Sequence, residues 1–342
     1  MKKKRVITFG EIMMRLNPEG YLKLNQANNL CISFAGGEAN VAVSVANFGM
    51  NAEFVTKVPD NALGNMAVAE LRKQNVDTSH IIKGGQRLGL YFVEKGASQR
   101  PSKVIYDRAG SSISMALKKE FEWEEILDGC TWFHFTGITP ALSDECAEIC
   151  EEALKVCKEK NIIVSCDLNY RKKLWSQEKA SKIMDKLMRY VDICIANESD
   201  AADVFAISAE KTNVENGELS KEGYISVAKQ LKERFGFSKV AITLRKSISA
   251  SVNDWSAMLY ENEHAYFSKE YHIQLVDRVG GGDSFAGALI YALHSEYNPQ
   301  QAVDFAVAAS CLKQTMEYDF NLASFEDVIM LMNGNGSGRV QR

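Results

Sequence analysis

Histidine, proline and paired cysteine are all scarce in this chain. Its five histidines stand apart, with no HExxH and no recognisable triad, so neither a zinc-protease site nor a histidine-centred nucleophile can be read. The eight cysteines include no CxxC pair. Cys146, Cys150 and Cys157 share one helical face but bring no convincing fourth ligand, and packing as small hydrophobes accounts for them. Only five prolines occur, no Pro/Gly/Ser-rich linker separates two halves, and no internal repeat is visible. No apolar run approaches the ~20 residues that span a bilayer. The basic opening Met1–Arg5 is followed by Val6-Ile7-Thr8-Phe9, too short and too β-like for a signal core. A cytoplasmic protein is expected. There is no basic block, and a net charge of -4 with a pI near 5.9 argues against nucleic acid and anionic membrane as partners. A GxxxxGK[ST] phosphate loop is also missing.

What is present is a large apolar inventory, 46% of 342 residues, arranged in alternation. Strand-like runs at 6–9, 53–58, 132–135, 162–166, 193–195 and 240–243 are interleaved with helical periodicity at 39–48, 62–74, 146–158, 179–189, 223–234 and 283–294. That order predicts an α/β protein with a mostly parallel sheet covered by helices on both faces. Two stretches, about 12–34 and 88–106, lack helical periodicity and predict a small β-sheet standing off the main body as a lid. One unit over 1–332 is expected, and composition makes 333–342 a flexible tail.

Two glycine-rich segments carry chemistry. The late one reads Val276-Asp277-Arg278-Val279-Gly280-Gly281-Gly282-Asp283-Ser284-Phe285-Ala286-Gly287. Bare backbone N–H groups and a helix N-terminus with one carboxylate beside them suit an anion in transfer. An ordinary helix entry with Asp as N-cap has the same spacing. It is not a dinucleotide fingerprint, because Phe285 stands where a third glycine is needed. The early segment, Phe34-Ala35-Gly36-Gly37-Glu38-Ala39-Asn40, likewise opens a helix after paired glycines. One such end could hold an acceptor and the other the phosphates.

Together these segments resemble the two signatures of the ribokinase (PfkB-type) carbohydrate kinase family, and the resemblance runs to about Leu331, including Gly10-Glu11. The late motif matches the family's D-T-x-G-x-G-D-x-F pattern at Asp277, Gly280, Gly282, Asp283 and Phe285, and departs from it at Arg278. The resemblance implies a ribokinase-like three-layer α/β/α fold with a β-sheet lid, and ATP with Mg2+. It makes Asp283 the base for the acceptor hydroxyl, and the N–H groups of Gly280, Gly281, Gly282 and Asp283 the anion hole. Gly36, Gly37 and Asn40 would line the acceptor pocket. The family's N-x-x-E element is similar to Asn197-Glu198-Ser199-Asp200, which implies Asp200 or Glu198 beside the magnesium. Thr243 would lie near the phosphates. Arg245, where the family often has glycine nearby, could bind phosphate or sit in a solvated turn. Asp277 and the Val279 carbonyl stand where the family often holds a monovalent cation such as K+.

Tyr91, Tyr106, Arg108 and Arg171 suggest an acidic acceptor, since a guanidinium presents a planar fork of donors to a carboxylate. As a set they resemble the substrate residues of 2-keto-3-deoxygluconate kinases, and 137–143, with Ile138, is similar to a stretch lining that pocket. Arg15 stands where many neutral-sugar kinases carry an aspartate for sugar hydroxyls, and an arginine there would tolerate a carboxylate. The expected activity is transfer of the ATP γ-phosphate to the 6-hydroxyl of 2-keto-3-deoxygluconate. The alternatives are fructose, another ketose or the galacto epimer as acceptor, or a non-catalytic sugar- or nucleotide-binding protein, against which the intact Gly280–Asp283 set argues. The exposed edges and apolar face of a lid predict a homo-oligomer formed through it.

Overall fold

The computed structural model describes residues 4–197, 199–209 and 220–334, so Glu198 and 335–342 of the expected tail lie outside the described residues. The first strand, β1 (Arg5–Phe9), is buried along nearly its whole length, as its unbroken apolar run requires of a strand covered on both faces. It pairs in parallel with β4 (Asn51–Val58) on one side and β8 (Trp132–Thr136) on the other. The parallel sheet continues through β9 (Ile163–Asp167), β10 (Ile193–Ala196) and β11 (Lys239–Ser247), and β5 (Ile81–Lys83) closes the far edge. Beyond β11 the direction reverses: β12 (Val252–Glu261) is antiparallel to it, and β13 (His264–Phe267) and β14 (Tyr271–Gln274) both pair with β12.

Helices cover both faces. The apolar cluster on one side is built from α1 (Gly37–Asn47), α2 (Ala62–Lys73), α8 (Gly281–His294), α9 (Pro299–Lys313) and α10 (Phe325–Met332). The other side is built from α3 (Trp123–Ile126), α4 (Asp144–Glu159), α5 (Gln177–Leu187), α6 (Asp200–Phe205) and α7 (Lys221–Phe235). Cys146, Cys150 and Cys157 pack on the inner face of α4, and burial pushes the Cys146 thiol up to about 11. Sequence periodicity did not announce β12 to β14, α9 or α10. Helix α9 is apolar on nearly all sides because α8, α10 and β12 enclose it, so it has no polar stripe to register as a period.

The lid is a four-stranded sheet in the order β3 (Cys31–Ala35), β2 (Met13–Asn17), β6 (Gly89–Glu94), β7 (Lys103–Asp107). Its register aligns Ile32, Leu16, Phe92 and Ile105 in one row across the strands. Alternation places Arg15 and Tyr91 on the opposite face, toward the main body.

There the guanidinium of Arg15 is fully buried, donating to Asp319 and to Asp277 at 2.5 Å each, while the Tyr91 hydroxyl donates to the second Asp319 oxygen at 2.9 Å. Burial works against the Arg15 charge, yet the two carboxylates hold its pKa above the ordinary value. This corrects the expectation that Arg15 faces the sugar: it ties the lid to the main body instead. Arg15→Met would leave two buried carboxylates short of a partner and is expected to cost about 3–5 kcal/mol in urea unfolding at pH 7. A loss below about 1 kcal/mol, typical of an exposed pair, would show that the lid is anchored by something else.

Candidate active site

Helix starts leave N–H groups without partners, and most helices here satisfy one with a side chain. Asn61, Ser143, Ser176, Ser220, Asn298 and Ser324 cap α2, α4, α5, α7, α9 and α10 in this way. The helices α1 and α8 instead begin at Gly36 and Gly280, with no side-chain cap. Neither glycine can be replaced in place. A Cβ on Gly36 would lie 1.8 Å from the Glu11 carbonyl oxygen, and one on Gly280, held at φ +82°, would lie 2.2 Å from that of Asp319. A Cβ on Gly282 would meet nothing within 4 Å, because that position faces open space.

The space is a cavity of about 330 Å³ between the lid and the carboxyl ends of the parallel strands, the usual ligand side of such a sheet. Gly280, Gly281, Gly282 and Asp283 line it, together with Gly36, Gly37, Asn40, Tyr91, Tyr106, Arg108, Ile138 and Arg171. Asn197, Thr243 and Arg245 line it as well, joined by Arg278 and Trp255. The structure therefore brings fifteen sequence-selected residues to one cavity, from Gly36 to Asp283.

Asp283 is the third residue of α8, and its Oδ2 accepts from Asn40 Nδ2 at 2.6 Å, joining the two glycine-led helices at one carboxylate. Burial pushes its pKa up to about 6, with Asp319 adding to the rise while the Asn40 hydrogen bond and the charges of Arg171 and Lys313 oppose it. Arg108 is gripped by the Glu11 carboxylate, with Nε to Oε2 at 2.7 Å, and lies 5.4 Å from the centre of the Tyr106 ring. Tyr106 in turn stacks on Tyr91, with ring centres 6.0 Å apart. Arg171 is half-buried and donates to the Tyr170 carbonyl.

Two expected ligands, Asp200 and Asp277, stand elsewhere. Asp200 is buried outside the cavity wall, and its two oxygens accept from the backbone N–H groups of Asn197 and Tyr170 at 3.0 and 3.2 Å. It braces the loop rather than lining the cavity, because Asn197 Oδ1 and the Asp200 carboxylate cap one another's backbone across the start of α6. Glu198 lies outside the described residues. The Asp277 carboxylate is taken by Arg15, and the carbonyls of Asp277 and Val279 both accept from Lys313 Nζ.

The sequence reading passed over Asp167, Asn169, Glu11, Arg278, Asp319 and Lys313. Asp167 ends β9 on the cavity wall, and burial, together with the nearby charges of Asp200 and Asp283, raises its pKa well above the carboxylate range. A strand-terminal Asp four residues before the chosen Arg171 was a usable signal. Lys313 gave none, since a lysine at the end of a helix ordinarily reads as a solvated cap.

A curated 2-dehydro-3-deoxygalactonokinase from Haloferax volcanii is 30% identical over 97% of this chain and 98% of its own length. A 2-dehydro-3-deoxygluconokinase from Thermoproteus tenax is 27% identical over 90% of this chain and 87% of its own. The crystal structure of 2-dehydro-3-deoxygluconokinase from Thermotoga maritima is 50% identical, covers 97% of this chain and all of that one, and superposes with a TM-score of 0.94. The family model described as pfkB family carbohydrate kinase matches residues 3–318, and the chain belongs to that family.

Proposed function

We propose that this kinase transfers the γ-phosphoryl group of ATP to the 6-hydroxyl of 2-keto-3-deoxygluconate. The observation that carries the reading is the Asp283 carboxylate at an uncapped glycine-led helix start, with Arg108 and Arg171 on the same cavity wall. Asn40 occupies Asp283 Oδ2, which leaves Oδ1 to take the acceptor proton. As the new O–P bond forms, the bond from the γ-phosphorus to the bridging oxygen breaks and its electron pair leaves with ADP. In a loose transition state charge gathers on the transferring phosphoryl oxygens, and the N–H groups of Gly280 to Asp283 stabilise it there. Arg245 and Arg278 flank the phosphates. Closure of the lid over the cavity excludes water as a competing acceptor.

Mg2+ neutralises phosphate charge when bound with the nucleotide, and it takes one or two carboxylates while keeping phosphate and water oxygens. Asp167 fits that role: it faces the cavity, and a divalent cation would offset the burial that disfavours its charged form.

The two arginines favour an acid sugar over a neutral one, because a carboxylate meets charge-assisted donors that a hydroxyl uses less well. The galacto epimer is the second reading, supported by the Haloferax volcanii relative named for that acceptor. The apolar row Ile32, Leu16, Phe92 and Ile105 on the outer face of the lid is the surface for a second copy of the chain.

Asp283→Asn is expected to lower kcat by roughly 10²–10⁴-fold with ATP affinity nearly unchanged, measured by ADP release and calorimetry. The wild-type kcat/KM should fall as pH drops below about 6, since protonated Asp283 cannot accept the hydroxyl proton, and stay level above it. Near-normal turnover of the variant would remove Asp283 from the mechanism. Arg171→Ala should raise KM for 2-keto-3-deoxygluconate by about 10–100-fold, the worth of one charged hydrogen bond, and leave fructose turnover little changed. An equal effect on both acceptors would exclude Arg171 as a carboxylate ligand.

A further inference from the structure

The turn that carries the anion hole, Asp277 to Gly280, is held from beneath by the last turn of α9. Lys313 is fully buried, and its ammonium donates to the carbonyl of Asp277 at 3.0 Å and to that of Val279. One turn earlier, Ser310 Oγ donates to the Gly281 carbonyl at 2.7 Å. The Gln314 carbonyl accepts from Val276 N at 2.9 Å, and its side chain fills the space that a Cβ on Gly281 would enter. These contacts fix a strand of four peptides against a rigid helix.

The family resemblance assigns a monovalent cation to Asp277 and the Val279 carbonyl, and here they do not suit one: the Asp277 carboxylate is paired with Arg15, and both carbonyls lie under Lys313. Both already accept from a positive nitrogen that the chain itself supplies. Asp277 and Asp319 already have buried cationic neighbours in Arg15 and Lys313. A further cation at these carbonyls would sit against the Lys313 ammonium away from water, which is strongly unfavourable. We infer that Lys313 is a built-in monovalent cation, a positioning residue that holds the anion-hole turn and makes this kinase independent of potassium.

The consequence for catalysis runs through peptide geometry. In a trans peptide the C=O and the following N–H point in opposite directions. Anchoring the Val279 carbonyl on Lys313 therefore sets the direction of the Gly280 N–H, the first donor of the anion hole. The same ammonium lowers the cost of a carboxylate at Asp283. An alkali cation does this only while bound, whereas a tethered ammonium needs no site to be filled and loses no affinity as ionic conditions change.

The inference deepens the proposed phosphoryl transfer, and its test has one arm that needs no acceptor. In potassium chloride and in choline chloride at equal ionic strength, wild-type kcat/KM should agree within about twofold, because screening is the same in both. The wild-type Tm without substrate should also be the same. Lys313→Ala should lower kcat by roughly 10²-fold, the scale of one lost anion-hole donor. Potassium or ammonium chloride should restore much of that loss and raise the variant's Tm relative to choline. If the alanine variant does not fold, Lys313→Gln keeps a hydrogen-bond donor, one atom shorter in reach and without the charge, and should behave in the same direction. Strong potassium activation of the wild type would overturn the inference, as would a folded variant whose kcat and Tm ignore potassium. The thermal comparison reads the cation site whichever sugar is the substrate, so failure of the acceptor assignment leaves it intact.

Discussion

Four buried charges hold this molecule's working parts in register: Arg15, Asp277, Asp319 and Lys313. Arg15 comes from the lid, Asp277 from the anion-hole turn, Lys313 from the end of α9, and Asp319 from the segment that follows. Removing ions from water is costly, and the cost is offset only where partners are close and their remaining hydrogen bonds are met. That demand makes the cluster a strict positional constraint. If the lid, the turn or α9 shifts, a charge is left unpaired. The lid and the glycine-rich turn before α8 are consequently parts of one electrostatic unit, with Tyr91 adding its hydroxyl to Asp319 from the next lid strand.

The same economy of charge shapes the cavity above it. Asp283 is half-buried on the cavity wall, and burial alone would favour its neutral form; Asn40, Arg171 and Lys313 pull it back toward the carboxylate. Asp167, with fewer compensating groups and two acidic neighbours, stays well above the carboxylate range. Two carboxylates on one wall thus differ in proton affinity because their surroundings differ. On the proposed reading, Asp283 would take a proton near neutral pH and Asp167 would hold its charge beside a metal ion. Arg108, fixed by Glu11 and laid against Tyr106, is pre-oriented, so little side-chain freedom would be lost in the carboxylate contact proposed for it.

Much of this was legible in the chain because the requirements are local. Gly36 and Gly280 announce themselves since no other residue fits beside the Glu11 and Asp319 carbonyls, and the aspartate three positions after Gly280 falls in the first turn of the helix. Alternating strand and helix patterns gave the parallel sheet for the same reason: each period is written into consecutive residues. What stayed hidden depends on distant pairing. Arg15 meets Asp277 across 262 positions and Asp319 across 304, and the short motif around Gly10-Glu11 assigned it to the sugar. Asp200 had the right neighbours in sequence but spends both oxygens on backbone N–H groups, which only the path of the 167–171 loop reveals. Lys313 sits in an apolar helix whose burial on every side erases the pattern that would have drawn attention to it.

In the proposed reading, a sugar kinase's phosphate machinery has been joined to a pocket for a carboxylate. The most direct measurement is wild-type kcat/KM, by coupled ADP release with ATP and Mg2+, for 2-keto-3-deoxygluconate, its galacto epimer and fructose. The account predicts that the acid sugars exceed fructose by about 10²-fold or more, the value of two charge-assisted contacts. Equal turnover of all three, or a preference for fructose, would contradict the assignment of Arg108 and Arg171 and leave only the phosphoryl-transfer half of the account standing.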